Sequence, residues 1–164
     1  MSTNLRIGIG IDAHHLVKNR KLILGGIEIK YSLGLLGHSD ADVICHAIAD
    51  ALLGAAGLND IGYYFPDTDE KLKGISSLKI LSKVLTMIKK DGYQIINIDS
   101  VIICQEPKLN PYFPKMKAKL ASVLKVNQSQ IGLKAKTTEG IKFPKFNPSI
   151  ACISVALLAK KTKN

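Results

Sequence analysis

The sequence predicts an α/β fold, an α+β sandwich in which one β-sheet packs against helices. Stretches rich in β-prone residues alternate along the chain with stretches whose apolar residues recur at helical spacing. No internal repeat or linker interrupts this order, and the composition is 46% hydrophobic over 164 residues. A chain of this length and composition is expected to form one compact domain over residues 1–164.

The first predicted element is a strand over residues 5–14, where large apolar residues alternate with small ones. Two short β-prone runs on either side of the Gly-Gly pair at 25–26 predict a tight hairpin. Ser39 and Asp42 form an S-x-x-D capping signal. A helix is therefore expected over residues 40–53, before the glycines that follow it.

Later elements follow the same two patterns. Residues 58–74 are rich in Gly, Pro, Asn and Asp and predict a long irregular loop, a kind of segment that is often functional. Helical spacing predicts a second helix over residues 76–91, and a third is expected to begin at an Asn110 cap with Pro111 behind it. The remaining β-prone runs predict strands over residues 93–105, 131–137 and 149–159.

Composition disfavours several classes of protein. No apolar run approaches the roughly 20 residues that span a bilayer, and the N-terminus lacks the pattern of an export signal. We therefore expect a soluble, cytoplasmic protein in which Cys45, Cys104 and Cys152 are reduced and mostly buried. The net charge of +10 would suit a nucleic-acid-binding module, but only Arg6 and Arg20 among the 23 basic residues are arginines, and no aromatic residues interleave with clustered cations.

The charged residues are unevenly distributed. Between Lys30 and Lys71 there is no Lys or Arg, but seven of the 13 acidic residues lie there. The histidines lie in or shortly before this stretch, at His14, His15, His38 and His46. Because imidazoles and carboxylates are common ligands of divalent metals, this part of the chain is expected to bind a metal ion.

Asp12, His14 and His46 are the candidate zinc ligands. Asp12 and His14 are two residues apart on a predicted strand and share one face, whereas His15 points to the other. His46 lies on the first predicted helix in a stripe of acidic residues, and this helix lacks the lysines that a solvated face would carry. A turn-forming Asp beside an ordinary His and a solvated helix face are the alternatives. Three N/O ligands would leave a fourth position open, as in catalytic zinc sites.

Other polar residues could hold phosphates. His38 and Ser39 directly precede the first predicted helix, whose free N–H groups and dipole favour anions. Residues 136–139 end a strand with a cation, two hydroxyls and a carboxylate that could reach a magnesium ion. The proline-containing loop around Lys108 suits a flat ligand. Helix capping, strand-end polarity and a plain connector are the competing interpretations, and the acids of the 58–74 loop resemble ordinary turn residues.

Taken together, the motifs resemble one enzyme family. The most specific stretch is GLLGHSDADVICHAIADALLGAAGLNDIGYYFPDTD, and GIDAH, LILGG, QEPKLNPYFPKM and KAKTTE accompany it in the right order. On these motifs the chain resembles the 2-C-methyl-D-erythritol 2,4-cyclodiphosphate synthases of the non-mevalonate isoprenoid pathway, over residues 6–160. The resemblance implies a lyase that expels CMP from 4-diphosphocytidyl-2-C-methyl-D-erythritol 2-phosphate. It also implies a homotrimer with active sites between subunits.

The resemblance further implies a role for each motif. The three candidate ligands would bind zinc, Glu139 would hold a magnesium or manganese ion, and the catalytic residues His38 and Thr137 would help to stabilise the transition state. Residues 60–62 and 65–69 would contact the methylerythritol phosphate part. The implied substrate contacts in full are Asp12, His14, His38, Ser39, Asp60, Ile61, Gly62, Phe65, Pro66, Asp67, Thr68, Asp69, Cys104, Gln105, Glu106, Pro107, Lys108, Leu109, Asn110, Lys136, Thr137, Thr138, Glu139 and Phe143.

Some positions depart from the family pattern, and two other functions compete with it. Ile11 replaces a common aromatic residue, Lys136 replaces a frequent threonine, and Phe146 stands where an arginine is typical. A phosphate contact is then lost or passes to Lys142 or Lys145. A zinc phosphohydrolase would use the same ligands to activate water, although no general base for that water is evident. A basic nucleic-acid-binding module is the alternative outside enzymes.

Overall fold

The computed structural model describes residues 4–137, 139 and 148–160 of the chain. The strands are β1 (Leu5–Val17), β2 (Leu22–Leu24), β3 (Ile27–Ile29), β4 (Gly34–Leu35), β5 (Tyr93–Ile103), β6 (Ile131–Lys136) and β7 (Ser149–Lys160). The helices are α1 (Val43–Ala56), α2 (Ile61–Tyr64), α3 (Ser77–Lys90) and α4 (Phe113–Leu124). Within the described residues, one five-stranded sheet in the order β4-β1-β7-β5-β6 packs with helices beside the β2-β3 hairpin, which confirms the predicted fold class and hairpin.

The long strands β1, β7 and β5 form the centre of the sheet. β7 pairs antiparallel with β1, from Leu5↔Ala159 to His15↔Ser149, and antiparallel with β5 on its other side. β6 pairs parallel with β5. Since β1 and β5 both run opposite to β7, the C-terminal ends of β1, β5 and β6 lie at the same end of the sheet.

Helix α1 packs closely across β1 and β7 because two glycines of β1 leave room for its backbone. A Cβ atom on Gly8 would lie 2.1 Å from the carbonyl oxygen of Ala51, and one on Gly10 would lie 2.1 Å from that of Ala47. Only glycine permits so close an approach of helix and strand. The close approach brings His46 of α1 to the inner face of β1, near the end of the strand.

The first turn of α1 begins at Val43, later than the sequence predicts. Asp42, in place of the predicted Ser39, is the N-cap, and its side chain accepts hydrogen bonds from two backbone N–H groups of the first turn. The same buried carboxylate accepts hydrogen bonds from the backbone N–H groups of Gly25 and Gly26, at 2.9 and 2.7 Å. A contact with the β2-β3 hairpin therefore decides where the helix starts, and a local capping pattern does not reveal it.

Two further segments differ in detail from the predictions. The 58–74 loop contains α2 and a 3₁₀ turn at Glu70–Leu72, so part of it is regular. A 3₁₀ turn at Asn110–Tyr112 precedes α4, and its cap position is Leu109 rather than the predicted Asn110. The reason is that the backbone N–H of Tyr112 donates to the carbonyl oxygen of Leu109, at 2.9 Å, which draws Asn110 into the turn.

The structure also tests the expectations about cysteines and membrane-spanning helices. Cys45, Cys104 and Cys152 are free and buried, as predicted. Among the described residues, the helices are too short or too polar to cross a bilayer.

The outer face of the sheet carries large apolar side chains. Ile7, Ile9 and Ile11 of β1 are 72%, 62% and 61% exposed. They pair in register with the outward residues Leu157 and Val155 and their neighbours on β7. The inner face, in contrast, is covered by α1, so the two faces of β1 have opposite environments.

Candidate active site

Side chains from two elements converge where β1 reaches α1. Asp12 and His14 project from the inner face of β1, and His46 projects from α1. The Nδ1 atom of His46 lies 2.9 Å from Oδ2 of Asp12, and Nε2 of His14 lies 3.2 Å from the same oxygen. One ligand atom from each residue lies within 4.8 Å of the others. These three residues form the metal triad. They come together as the sequence predicts and fit a divalent metal ion.

The strand period accounts for which histidine belongs to the triad. His15 lies on the outer face of β1, where its Nδ1 is 2.7 Å from Oγ of Ser149. Asp12 and His14 lie on the inner face with Gly10, close to α1, and His46 is only 7% exposed. The prediction that His15 points away from the site is confirmed.

A chain of hydrogen bonds fixes the orientation of the His46 ring. Its Nε2 lies 2.8 Å from Oγ of Ser77 and 3.2 Å from Oγ of Ser39. The Ser77 hydroxyl donates to Oδ1 of Asp40, and the Ser77 backbone N–H donates to Oδ2 of Asp40 at 3.0 Å. Since the single hydroxyl proton of Ser77 goes to Asp40, its oxygen accepts from Nε2–H of His46. This network assigns the proton to Nε2 and turns the lone pair of Nδ1 toward Asp12.

The short distance between Nδ1 of His46 and Oδ2 of Asp12 requires a positive charge between these two atoms. A lone pair on Nδ1 of His46 would face the carboxylate oxygen of Asp12 at 2.9 Å, and two acceptors stay this close only around a proton or a metal ion. The buried Nε2 of His14 lies 3.2 Å from the same carboxylate oxygen, but it forms no well-aligned hydrogen bond among the described residues. The metal triad, with the outer hydrogen bonds of Ser77 and Asp40, is therefore suited to a metal ion.

The surroundings of the metal triad favour the charged forms of Asp12 and His46. Burial alone would raise the pKa of Asp12, but the close polar contacts and charge interactions with His14 and His46 outweigh this effect, so the pKa of Asp12 lies well below its ordinary value. Burial would lower the pKa of His46, but the neighbouring Asp12 carboxylate outweighs that effect and raises it. A proton on Nδ1 of His46 and a metal cation would therefore compete for the same place beside Asp12.

A cavity of about 250 Å³ opens beside the metal triad. His38 and Ser39 line it from the loop before α1, and Nε2 of His38 is buried there without a hydrogen-bond partner among the described residues. Of the loop residues that the sequence predicts to contact substrate, Ile61, Gly62, Phe65 and Asp67 also line it. Asp60, Pro66, Thr68 and Asp69 are not part of its lining.

The loop side of this cavity is positioned by two carboxylates. Oδ1 of Asp60 caps α2 by accepting from the backbone N–H of Tyr63 at 2.9 Å. Oδ1 of Asp50 on α1 accepts from the backbone N–H of Ile61 at 2.8 Å. Asp60 thus has the turn-forming role that the sequence offered as an alternative, and both acids hold Ile61 and Gly62 at the rim.

A second cavity, of about 410 Å³, lies at the ends of β5 and β6. The predicted ligand-contacting residues that line it are Cys104, Gln105, Pro107, Lys108, Leu109, Asn110, Lys136 and Thr137. The hydroxyl of Thr137 donates to Oε1 of Glu139, while Glu106 is not part of the lining. Thr138, Phe143 and Phe146 lie outside the described residues, as do Lys142 and Lys145.

Both cavities lie at the same end of the sheet but on different strands. Two residues of the metal triad are on β1, the second cavity is on β5 and β6, and β7 lies between β1 and β5. Three strand spacings of about 4.8 Å each put β1 and β6 roughly 14 Å apart. Lys136 also belongs to the outer face of the sheet, since it is in register with Ile103 and, through β5, with Ala151 and Ala13.

Sequence reasoning missed three residues of this region. Asp40 and Ser77 support His46, and the only hint in the sequence was the pair of serines at the start of α3, which has the composition of a helix cap. Arg20 donates two hydrogen bonds to the loop that carries His38. The sequence signal was that this residue is an arginine in a chain whose other basic residues are nearly all lysine.

Comparison with known proteins gives consistent results. The sequence matches the YgbB family over residues 5–159. It is 57% identical over 154 residues to the 2-C-methyl-D-erythritol 2,4-cyclodiphosphate synthase of Clostridium acetobutylicum, covering 94% of this chain and 99% of that protein. The fold resembles the CDP complex of IspF from Plasmodium falciparum with a TM-score of 0.84 and 33% identity, over 99% of this chain and 100% of that one. It also resembles the bifunctional IspDF of Campylobacter jejuni with a TM-score of 0.92 and 38% identity, over 98% of this chain and 43% of that longer protein.

Proposed function

This chain belongs to the YgbB family, and on that premise we propose that it is a lyase that forms 2-C-methyl-D-erythritol 2,4-cyclodiphosphate in isoprenoid biosynthesis. Its substrate is 4-diphosphocytidyl-2-C-methyl-D-erythritol 2-phosphate. An oxygen of the 2-phosphate attacks the β-phosphorus, the bond from that phosphorus to the CMP oxygen breaks, and CMP leaves. The observation that carries this proposal is the metal triad beside a cavity lined by His38 and Ser39.

The substrate supplies its own nucleophile, which explains the composition of the site. Intramolecular attack needs two phosphates held close together and in line, and it needs their charge to be neutralised. Asp12, His14 and His46 would hold a zinc ion, which supplies positive charge to phosphate oxygens when bound. The site therefore needs residues that hold a metal ion, and it needs no Ser or Cys nucleophile paired with a base.

His38 and Thr137 are the proposed catalytic residues. The buried Nε2 of His38 is suited to donate a hydrogen bond to a phosphate oxygen, since it has no partner among the described residues. Glu139, which accepts from the Thr137 hydroxyl, would hold a magnesium or manganese ion between the two phosphates. Thr137 then contacts both the substrate and the ligand of the second ion.

The two cavities divide the substrate between them in this proposal. The methylerythritol phosphate part lies with residues 60–62 and 65–69, near the metal triad. The cytidine diphosphate part lies with residues 104–110 and 136–139, in the second cavity, and the CDP complex of the Plasmodium falciparum relative supports a ligand of this chemistry. Phe143 is proposed to complete this contact.

The chain is further proposed to act as a homotrimer with active sites between subunits. The exposed row formed by Ile7, Ile9 and Ile11 is a face that association would cover, since monomers rarely expose so large an apolar patch. Lys136 borders that outer face. A subunit packed there would bring its second cavity toward the metal triad of its neighbour, and thereby close the separation of roughly 14 Å.

Phosphorus NMR of the reaction mixture tests the proposed function. Purified protein, the cytidine diphospho substrate and a divalent metal should give resonances of CMP and of the cyclic diphosphate. Release of a linear diphosphate would instead indicate a zinc phosphohydrolase that activates water. If neither product forms, the proposed activity is wrong.

A further inference from the structure

Arg20 spans the loop that carries His38. It follows β1 in the chain, and its guanidinium donates from Nη1 to the carbonyl oxygen of Gly37 at 2.9 Å and from Nη2 to that of Ser39 at 2.8 Å. These carbonyl groups belong to the residues directly before and after His38. Both hydrogen bonds are partly shielded from solvent.

The loop depends on such contacts because it belongs to neither a strand nor a helix. The carbonyl oxygen of His38 accepts from the backbone N–H of Gly74 at 2.9 Å, so three consecutive carbonyl groups are held by donors from elsewhere in the chain. Ala41, at the end of the loop, has a φ of +56°, which a residue with a side chain adopts only at a cost. Contacts from outside must therefore hold the loop in this conformation.

The loop lies directly against the metal triad. A Cβ atom on Gly37 would be 3.3 Å from Cε1 of His14, so the loop has little room to shift inward. It presents His38 and Ser39 to the cavity. A displacement of the loop would therefore move the buried Nε2 of His38 relative to any phosphate bound at the metal.

We propose that Arg20 is a positioning residue that holds His38 in place for the transition state by donating hydrogen bonds to the carbonyl groups of the residues before and after it. This inference rests on the proposed function of His38. Arginine suits the role because its planar guanidinium offers two parallel donors at a fixed spacing, whereas the ammonium group of lysine is a single point. A chain that otherwise uses lysine for nearly all its basic residues has an arginine at this position.

The substitution Arg20→Lys keeps the positive charge but removes the pair of guanidinium donors. It therefore tests whether the two hydrogen bonds to the loop are needed. We expect kcat to fall by about tenfold to a hundredfold, since a displacement of about 1 Å at a reacting group can cost that much. Zinc content should stay at one ion per chain, because none of the metal triad contacts Arg20. Arg6→Lys is the matched control, since Arg6 is exposed at the far end of β1, and it should keep the kcat of the parent protein.

A double-mutant cycle with His38→Ala separates positioning from general stability. If Arg20 acts through His38, Arg20→Lys should have little further effect on kcat in the His38→Ala background. Equal losses in both backgrounds would overturn the proposal, because they would show that Arg20 acts independently of His38. An unchanged kcat for Arg20→Lys in the parent background would overturn it as well.

Hydrogen exchange of the loop amides keeps the inference testable if the proposed function fails. If the parent protein releases no CMP, the proposed function is wrong. The role of Arg20 in holding the loop is then tested only by the amide hydrogen-exchange rates of residues 38–41. Arg20→Lys should accelerate exchange there, relative to Arg6→Lys, without changing the core strands. Unchanged exchange rates at these residues would show that Arg20 does not hold the loop, whatever the activity of the variant.

Discussion

The inner and outer faces of β1 have the same backbone but opposite environments. On the inner face, Gly8 and Gly10 admit the backbone of α1, and Asp12 and His14 continue the same row into the metal triad. On the outer face, a row of isoleucines stands exposed. Because side chains alternate between faces, one strand can serve both chemistry and association without conflict.

The two sides of β1 also differ in their side-chain hydrogen bonds. On the inner face, the polar atoms of His46 are held by Asp12, Ser77 and Ser39, and Ser77 is held in turn by Asp40. The outer face has no comparable hydrogen-bond network among the described residues; His15 contacts only Ser149 there by side-chain hydrogen bond. The inner face is therefore sensitive to the loss of a single polar atom, whereas the outer face is sensitive to a change of polarity.

The largest effect is expected for His46→Ala. Losing one of three protein ligands should weaken zinc binding by orders of magnitude and abolish CMP release, while circular dichroism shows a largely intact fold, since a domain of this size does not need a metal for its core. His15→Ala is the control from the outer face and should retain zinc and most activity. A zinc-free His15 variant beside a zinc-loaded His46 variant would reverse the assignment of the two faces.

A charge on the outer face should break assembly and spare the metal. Ile9→Asp places a carboxylate within the apolar row, so light scattering should show monomers where the parent protein gives about three chain masses. Zinc should remain bound while most of the activity is lost, because the proposed meeting of the two cavities from neighbouring subunits would be prevented. Ile9→Val is the matched control and should remain trimeric. An active monomeric Ile9→Asp variant would rule out active sites between subunits.

A smaller effect is expected at the residue behind His46. Ser77→Ala removes the nearer of the two hydroxyl oxygens beside Nε2–H of His46. Loss of such an outer hydrogen bond typically weakens metal binding by about 10- to 100-fold. Ser76→Ala is the matched control, because Ser76 precedes α3 but makes no side-chain capping hydrogen bond. Competition with a chelator measures the zinc affinity of both variants. Equal affinities would show that Ser77 does not orient His46.

The last expected effect concerns pH and needs no substitution. The pKa of His46 is raised by the Asp12 carboxylate, against the opposing effect of burial, so His46 holds its proton to a higher pH than an ordinary histidine. The proton competes with the metal, so zinc affinity should be level above this raised pKa and fall by about tenfold per pH unit below it. A zinc affinity that stays constant from neutral to acidic pH would contradict this competition.

The sequence predicts well those features that depend on neighbours along the chain. The period of β1 placed Asp12 and His14 together and sent His15 to the other face, and both predictions are confirmed. The hairpin at Gly25 and Gly26 is likewise confirmed by two residues with positive φ. These features follow from local geometry, which a strand or a two-residue turn carries by itself.

Features that depend on contacts between distant segments could not be predicted. The start of α1 depends on Asp42 meeting the hairpin, and the ring of His46 is oriented by Ser77, which lies 31 residues later in the chain. The hydrogen bonds of Arg20 to Gly37 and Ser39 likewise join residues that are 17 and 19 positions apart. Contacts of this kind follow from the packing of the whole domain, which no local pattern encodes.

Anomalous diffraction at the zinc absorption edge, from crystals of the protein grown with zinc, tests the central claim most directly. One anomalous peak per chain should lie within bonding distance of an Asp12 carboxylate oxygen, Nε2 of His14 and Nδ1 of His46. Nε2 of His46 should remain hydrogen-bonded to Ser77. A peak bonded to Nε2 of His46 or to His15, or the absence of any peak at the metal triad, would contradict the account.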